Sequence, residues 1–194
     1  MEVGVLALQG DFREHAQVLR ALGADVREVR LPEQLQSLDG LVIPGGESTT
    51  IARLMRLYEV DEAILAFEGA IFGTCAGMIV LAHEAVDGVP EQRQLALIDI
   101  GVQRNGYGRQ VASFEGAVTL DDGATVPGVF IRAPKIVSVG PDVTVLGRLG
   151  GDPVLVQQGR VMAASFHPEL DDNRRIHTRF LELIEERPGA PLAG

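Results

Sequence analysis

The sequence predicts an α/β protein with three layers: a mostly parallel central sheet flanked by helices, with antiparallel additions in the second half. Three observations predict it. Short apolar runs alternate with helical patterns through the first half, the order that builds a parallel sheet. The second half holds closely spaced short strands joined by Gly-rich turns, as antiparallel neighbours are. The 194 residues are 46% hydrophobic and 23% charged, near the globular average, so one full core can form without staples.

Val3 to Leu8 reads as a buried strand, broken by Gln9-Gly10-Asp11. Arg13 to Leu22 places Ala16, Val18, Leu19 and Leu22 at helical spacing, and Gly23 closes the pattern. Val26 to Val29 and Leu41-Val42-Ile43 are the next strands, the latter stopped by Pro44-Gly45-Gly46. Ser48-Thr49-Thr50 are the expected cap of a helix that runs through Leu57. Ala70-Ile71-Phe72 is a fourth strand, and Cys75 to Ala82 a helix. Beyond it, Val118 to Leu120, Val129 to Ile131, Val143 to Leu149, Val154 to Gln158 and Val161 to Phe166 read as short strands. Gln157-Gln158-Gly159-Arg160 looks like a hairpin turn. Ile176 to Ile184 is a final amphipathic helix. One domain over residues 1–187 is expected, with a loose tail over 188–194.

Composition excludes several functions. A formal net charge of −10 is the wrong sign for a nucleic-acid binder and for an anionic membrane surface. No apolar stretch approaches the ~20 residues of a membrane span. The start, Met1-Glu2-Val3-Gly4-Val5, lacks the positive segment of a signal peptide, so a cytoplasmic setting is expected. A single cysteine, Cys75, rules out an internal disulfide and a cysteine-based zinc cage.

That cysteine sits in Gly73-Thr74-Cys75-Ala76-Gly77, between an apolar strand and a helix. A nucleophile at such a turn is strained and exposed, and glycines flank it where a Cβ would meet neighbouring chain. The helix N-terminus favours thiolate, and the Ala76 N–H can bind a developing oxyanion. A lone cysteine is also often a small buried hydrophobe, so the elbow needs a base. Of the four histidines, His15 and His177 lie on charge-rich helices and read as solvated. His83 closes the helix after Cys75 and is expected to cap it. His167 differs: it follows a strand and precedes Pro168, which pushes it into extended geometry. Glu169, two residues on, can then lean toward the same face and orient the imidazole. Pro44-Gly45-Gly46-Glu47-Ser48-Thr49-Thr50 is a second strand-to-helix turn. It suits a second oxyanion N–H, a phosphate cradle without the Walker lysine, or a tight turn alone.

Together, Pro44 to Thr50, Gly73 to Gly77 and Ser165-Phe166-His167-Pro168-Glu169-Leu170 resemble the class I glutamine amidotransferases, whose fold is flavodoxin-like. Three more segments narrow the resemblance to the family of glutaminase subunits of pyridoxal 5′-phosphate synthase. They are Leu8-Gln9-Gly10-Asp11 with Arg13-Glu14-His15, Arg104-Asn105 with Gly108-Arg109-Gln110, and Val129-Phe130-Ile131-Arg132-Ala133-Pro134. The likeness runs from Met1 to about Glu186. Met78 departs from it, where a branched aliphatic residue is expected.

The resemblance implies that Cys75 attacks the side-chain amide of L-glutamine, that His167 moves protons and that Glu169 orients His167. It implies a glutamine pocket of Gly45, Gly46, Glu47, Ser48, Arg104, Ile131 and Arg132, with the Gly46 and Ala76 N–H groups as oxyanion hole. It implies a hetero-oligomer in which ammonia passes to a synthase subunit, and no metal or cofactor in this chain. Three other readings compete: a glutaminase serving a different synthase, a Cys-elbow deglycase, peptidase or chaperone, and a binding subunit without activity. The second group usually places histidine directly after the nucleophile, where this chain has Ala76.

Overall fold

The computed structural model describes residues 1–87, 94–107 and 113–186. The Gly108-Arg109-Gln110 segment and the predicted tail lie outside the described residues. Twelve strands and five α-helices are described: β1 (Glu2–Leu6), α1 (Phe12–Ala21), β2 (Asp25–Val29), β3 (Gly40–Ile43), α2 (Ser48–Leu57), α3 (Val60–Leu65), β4 (Ala70–Thr74), α4 (Ala76–Leu81), β5 (Ala82–Ala85), β6 (Ile98–Gln103), β7 (Ser113–Leu120), β8 (Thr125–Ile131), β9 (Lys135–Val139), β10 (Thr144–Leu149), β11 (Asp152–Gln158), β12 (Val161–Ala164) and α5 (Arg175–Glu185). Two 3-10 turns, Pro32–Leu35 and Pro168–Leu170, complete them.

Nine strands form one sheet in the order β2-β1-β3-β4-β12-β11-β10-β7-β8, and β5-β6-β9 form a second. From β2 to β12 the pairing is parallel; from β12 to β8 it is antiparallel. The expected division into a parallel first half and antiparallel additions therefore holds, with one difference. β12 is antiparallel only to β11 and lies parallel to β4, with Val161 to Ala164 opposite Ile71 to Thr74.

Side-chain alternation builds the layers. Leu41, Ile43 and Ile71 point to one face and join Ile51, Met55, Val60, Ile64 and Ile79 from α2, α3 and α4, with Ile98, Ile100 and Val102 of the small sheet. Val3, Val5, Val42 and Phe72 point to the other face and meet Ala16 and Leu19 of α1 and Ile176, Phe180 and Leu183 of α5. Both faces are buried, as a parallel sheet requires.

Several local expectations need correction. α4 stops at Leu81, and His83 lies exposed on β5 rather than capping the helix. The last carbonyls of α4 are taken instead by backbone: Leu95 N–H donates to Val80 O at 2.8 Å and Leu97 N–H to Leu81 O at 2.9 Å. β5, β6, β9 and α3 are elements the sequence reading passed over. In β6 the alternation Ile98, Ile100, Val102 was a usable signal, since these three are buried between exposed Asp99 and Gln103, but Gly101 interrupts it. β7 and β8 begin earlier than read, at Ser113 and Thr125.

Candidate active site

The loops after β1, β3, β4 and β12 all leave the sheet at the carboxyl edge of its parallel half. β1 sits between β2 and β3, so successive connections diverge there and leave a crevice, the usual ligand position in open α/β sheets.

Cys75 lies at the turn from β4 into α4 with φ 49° and ψ −104°. Its N–H donates to Ala164 O at 2.8 Å, which moors the turn to β12. Both flanking glycines are sterically required. A Cβ on Gly77 would stand 2.0 Å from Ile43 O, and one on Gly73 would stand 2.8 Å from the Gly77 carbonyl. The Cys75 thiol is nearly buried and lies 3.8 Å from the Ile131 carbonyl.

His167 follows β12 with φ −106° and ψ 85°, outside the helical region as its proline neighbour demands. Its N–H donates to Val129 O at 2.8 Å, tying it to β8. The expected extended His-Pro-Glu segment is instead a 3-10 turn, because Pro168 occupies its first position. That turn still brings Glu169 back: Nδ1 of His167 and Oε1 of Glu169 are 2.7 Å apart. Asp11 Oδ2 stands 3.4 Å from the same Nδ1.

Burial opposes a charge on His167, but the hydrogen bonds it donates to Cys75 and Glu169 and their negative charges outweigh it and push its pKa up to about 10. Burial raises Glu169 against the His167 bond, and burial raises Asp11 against the charge of His167. The imidazole is therefore set up to hold a proton between the thiol and a carboxylate. Asp11, His167 and Glu169 bring one potential ligand atom each within 4.8 Å of one another, the one group of metal-binding type among the described residues. A cation there would compete with the Nδ1–H of His167.

At the second Gly-rich turn, Glu47 caps α2 in place of Ser48, Thr49 or Thr50. Its carboxylate accepts from Thr49 N–H at 3.0 Å and Thr50 N–H at 2.7 Å. A carboxylate does this better than a hydroxyl, since it meets two orphan donors and the positive helix end at once. Burial pushes Glu47 up, but the hydrogen bonds from Thr50 and Thr49 together outweigh it and hold Glu47 below the usual carboxylate range. Arg104 Nη2 reaches Glu47 Oε1 and Thr49 Oγ1, each at 3.3 Å. Gly10 (φ 94°) packs against this turn: a Cβ there would lie 1.7 Å from Gly45 O, which accepts from Asp11 N–H at 3.1 Å. Gln9 Oε1 accepts from Glu47 N–H at 2.8 Å.

These turns enclose a cavity of about 670 Å³. Of the residues singled out from the sequence, Gly46, Glu47, Ser48, Cys75, Ala76, Arg104, Ile131, Arg132 and His167 line it. Glu169 lies behind His167, and Gly45 packs on the His167 ring, where a Cβ would come 2.4 Å from Cε1. Arg132 holds φ 44°, a left-handed conformation unusual for its type. Gln9 and Asp11 also line the cavity; sequence reading gave them no role, although they form the break that ends the first apolar run. His15 and His177, read as solvated, are fully buried, His15 beside Glu169 and His177 beside His15. Their helices are charged on the outer face only, and both histidines point toward the sheet.

Known proteins share this fold. A solved glutamine amidotransferase is 51% identical, superposes with a TM-score of 0.90, and the match covers 94% of this chain and 98% of that one. A glutamine amidotransferase from Thermotoga maritima, 14% identical with a TM-score of 0.59 over 96% of this chain and 85% of that one, shares the fold. Among curated relatives, "Pyridoxal 5′-phosphate synthase subunit PdxT" of Thermus thermophilus is 53% identical over 93% of this chain and 96% of its own length. The proteins of that name from Salinispora tropica (51%; 94% and 96%) and Deinococcus radiodurans (53%; 96% and 99%) are as similar. A family model described as the SNO glutamine amidotransferase family matches residues 5–186, nearly the whole chain, and the chain belongs to that family.

Proposed function

We propose that this chain is the glutaminase subunit of a pyridoxal 5′-phosphate synthase, hydrolysing L-glutamine to L-glutamate and passing ammonia to a separate synthase subunit. The observation that carries the reaction is the Cys75–His167–Glu169 constellation opening on a cavity sized for a free amino acid. The relatives from Thermus thermophilus, Salinispora tropica and Deinococcus radiodurans, matched over nearly their full length, carry the name of that synthase's subunit, which supports the partner.

In this reading Cys75 Sγ attacks the side-chain amide carbon, and the carbonyl oxygen takes up negative charge. The Ala76 and Gly46 N–H groups receive that charge. His167 protonates the amide nitrogen, the C–N bond breaks, ammonia leaves and a thioester remains. His167 then takes a proton from water, which attacks the thioester; the thiol leaves and glutamate is released. Glu169 keeps Nδ1 occupied, so that Nε2 does the proton transfer. Arg104 and Arg132 suit the α-carboxylate of glutamine, and Glu47 its α-ammonium. Residues 1–187 act as one domain. In this reading the carbon chemistry belongs to the synthase subunit.

The test is glutamine hydrolysis by the chain with the synthase subunit, wild type against Cys75→Ala. The variant is expected to fold normally, lose hydrolysis and escape labelling by a glutamine-derived electrophile. Hydrolysis near the wild-type level in Cys75→Ala would sink the assignment. Ammonia release stimulated by a synthase of another pathway, and not by this one, would favour the other glutaminase reading.

A further inference from the structure

Behind Glu169, away from the cavity, lie three side chains that the proposed chemistry does not use: His15 of α1, Thr74 at the end of β4 and His177 of α5. All three are 0% exposed. His15 Nδ1 is 2.9 Å from His177 Nε2, and His15 Nε2 is 3.0 Å from Thr74 Oγ1 and 3.2 Å from Glu169 Oε2. Phe72 holds both rings by edge contacts, with centroids 6.4 Å from His15 and 6.1 Å from His177.

One assignment of protons satisfies this cluster. Glu169 Oε1 is taken by His167, while Oε2 is buried, lacks a well-aligned hydrogen bond and faces His15 Nε2. A bare Nε2 would set lone pair against a buried carboxylate oxygen, so Nε2 carries the proton. That N–H stands between Thr74 Oγ1 and Glu169 Oε2. His15 Nδ1 is then an acceptor, and His177 Nε2 must donate to it. His177 Nδ1 is left bare, and it is the ring nitrogen with no partner. A buried lone pair without a partner is tolerated better than a buried N–H without one. Burial and the neighbouring His177 push the His15 pKa well below 6.5, and burial pushes His177 down to about 4, so both rings stay neutral.

The Glu169 carboxylate receives the His167 bond and one from its own backbone N–H, but its last torsion is broad and Oε2 has no hydrogen-bond partner of its own. We propose that His15, held by His177, is a positioning residue for the glutaminase reaction: its Nε2–H fixes Glu169 Oε2 so that Oε1 meets His167, and its contact with Thr74 ties that carboxylate to the residue before the nucleophile. The proposal rests on the reading of Cys75, His167 and Glu169 as the reacting set.

The experiment measures glutamine hydrolysis against pH, in complex with the synthase subunit, for wild type, His15→Phe, His15→Gln and His15→Phe combined with Glu169→Gln. His15→Phe is expected to lower kcat roughly 3- to 10-fold, about the net worth of one ordinary hydrogen bond, with KM little changed. Titratable groups facing His167 are Cys75, Glu169 and Asp11; those facing or acting on His15 are Glu169, His177 and His167. A carboxylate that drifts from His167 supports its charge less, so the alkaline limb of the profile moves to lower pH. His15→Gln, which keeps an N–H donor, recovers part of kcat. In the Glu169→Gln background, His15→Phe adds little. An unchanged kcat and alkaline limb in His15→Phe, or losses that multiply in full with Glu169→Gln, would overturn the proposal. If His15→Phe does not fold, long-range proton–nitrogen NMR of the wild-type imidazoles decides: a proton on Nε2 of both His15 and His177 supports it, and one on Nδ1 of His15 overturns it. Normal hydrolysis by Cys75→Ala would instead bring down the underlying reaction.

Discussion

Two histidines separated by a few ångströms of protein show opposite electrostatics. His15 is driven neutral by burial and by the neighbouring His177; His167 has Glu169 Oε1 at 2.7 Å and the thiol opposite, and is driven to hold its proton. The imidazolium form of His167 is present below about 10 and is lost as pH rises through that value. Hydrolysis that needs a proton for the departing ammonia should therefore decline on the alkaline side near 10. Glu169→Gln removes one of the hydrogen bonds and one of the charges that raise His167, while the opposing effect of burial stays. The alkaline limb should then shift to lower pH, and kcat should fall less than in His167→Asn, since an orienter contributes less than the base it orients. Profiles of both variants in the synthase complex check this. An alkaline limb that stays in place, or a greater loss in Glu169→Gln, would reverse the assignment of base and orienter.

Each functional side chain is delivered by the end of an element rather than by its middle. β4 stops at Thr74 and α4 begins at Ala76, leaving Cys75 alone at the bend. The bend closes because residue 77 has no side chain, as its backbone passes under the end of β3. Gly77→Ala would drive a Cβ to 2.0 Å from Ile43 O, and backbone on both sides leaves nothing flexible to move. We expect a loss of about 2–4 kcal/mol in unfolding free energy, with hydrolysis reduced further than stability alone would explain. Chemical denaturation and a glutaminase assay on the folded fraction measure the two parts. Wild-type stability in Gly77→Ala would show that the elbow can relax. Gly23, by contrast, has open space around it, and only its φ of 89° argues for glycine there.

Across the whole molecule, the cavity is walled from both halves of the sheet. The first half supplies Gln9, Gly46 and Cys75; β8 and the residue after it supply Ile131 and Arg132. Such a site can be held in a poor state until a partner binds. The Gly45 carbonyl is engaged by Asp11 N–H, so any turn of the Gly45–Gly46 peptide must first break that bond, worth about 1 kcal/mol. Glycine at both positions keeps the steric barrier low. Ammonia made without an acceptor is wasted, so the isolated chain should be a weak glutaminase that the synthase subunit activates. Losing one oxyanion donor costs on the order of 10²–10³ in rate in a protease, which sets the scale available to such a switch. Steady-state hydrolysis by the chain alone and with saturating synthase subunit decides; equal turnover would remove the gating and leave the reacting residues as assigned.

At this scale the sources of the architecture separate. Legible in the chain were the strand-to-helix bend at Cys75, the non-helical backbone of His167 ahead of Pro168, the Gln157 to Arg160 hairpin and the alternation of strands and helices in the first half. These follow from short-range sterics: glycine where a Cβ cannot fit, proline excluding helix before it, apolar spacing matched to one period. The tertiary structure alone decided that β12 runs parallel beside β4, that Leu95 and Leu97 rather than His83 finish α4, and that His15 and His177 are buried. The partners of His15 stand 59 and 162 residues away, so no local pattern distinguishes it from a solvated helix histidine. A polar side chain is buried or exposed according to whether distant chain brings it a hydrogen-bond partner, and only the closed fold supplies one.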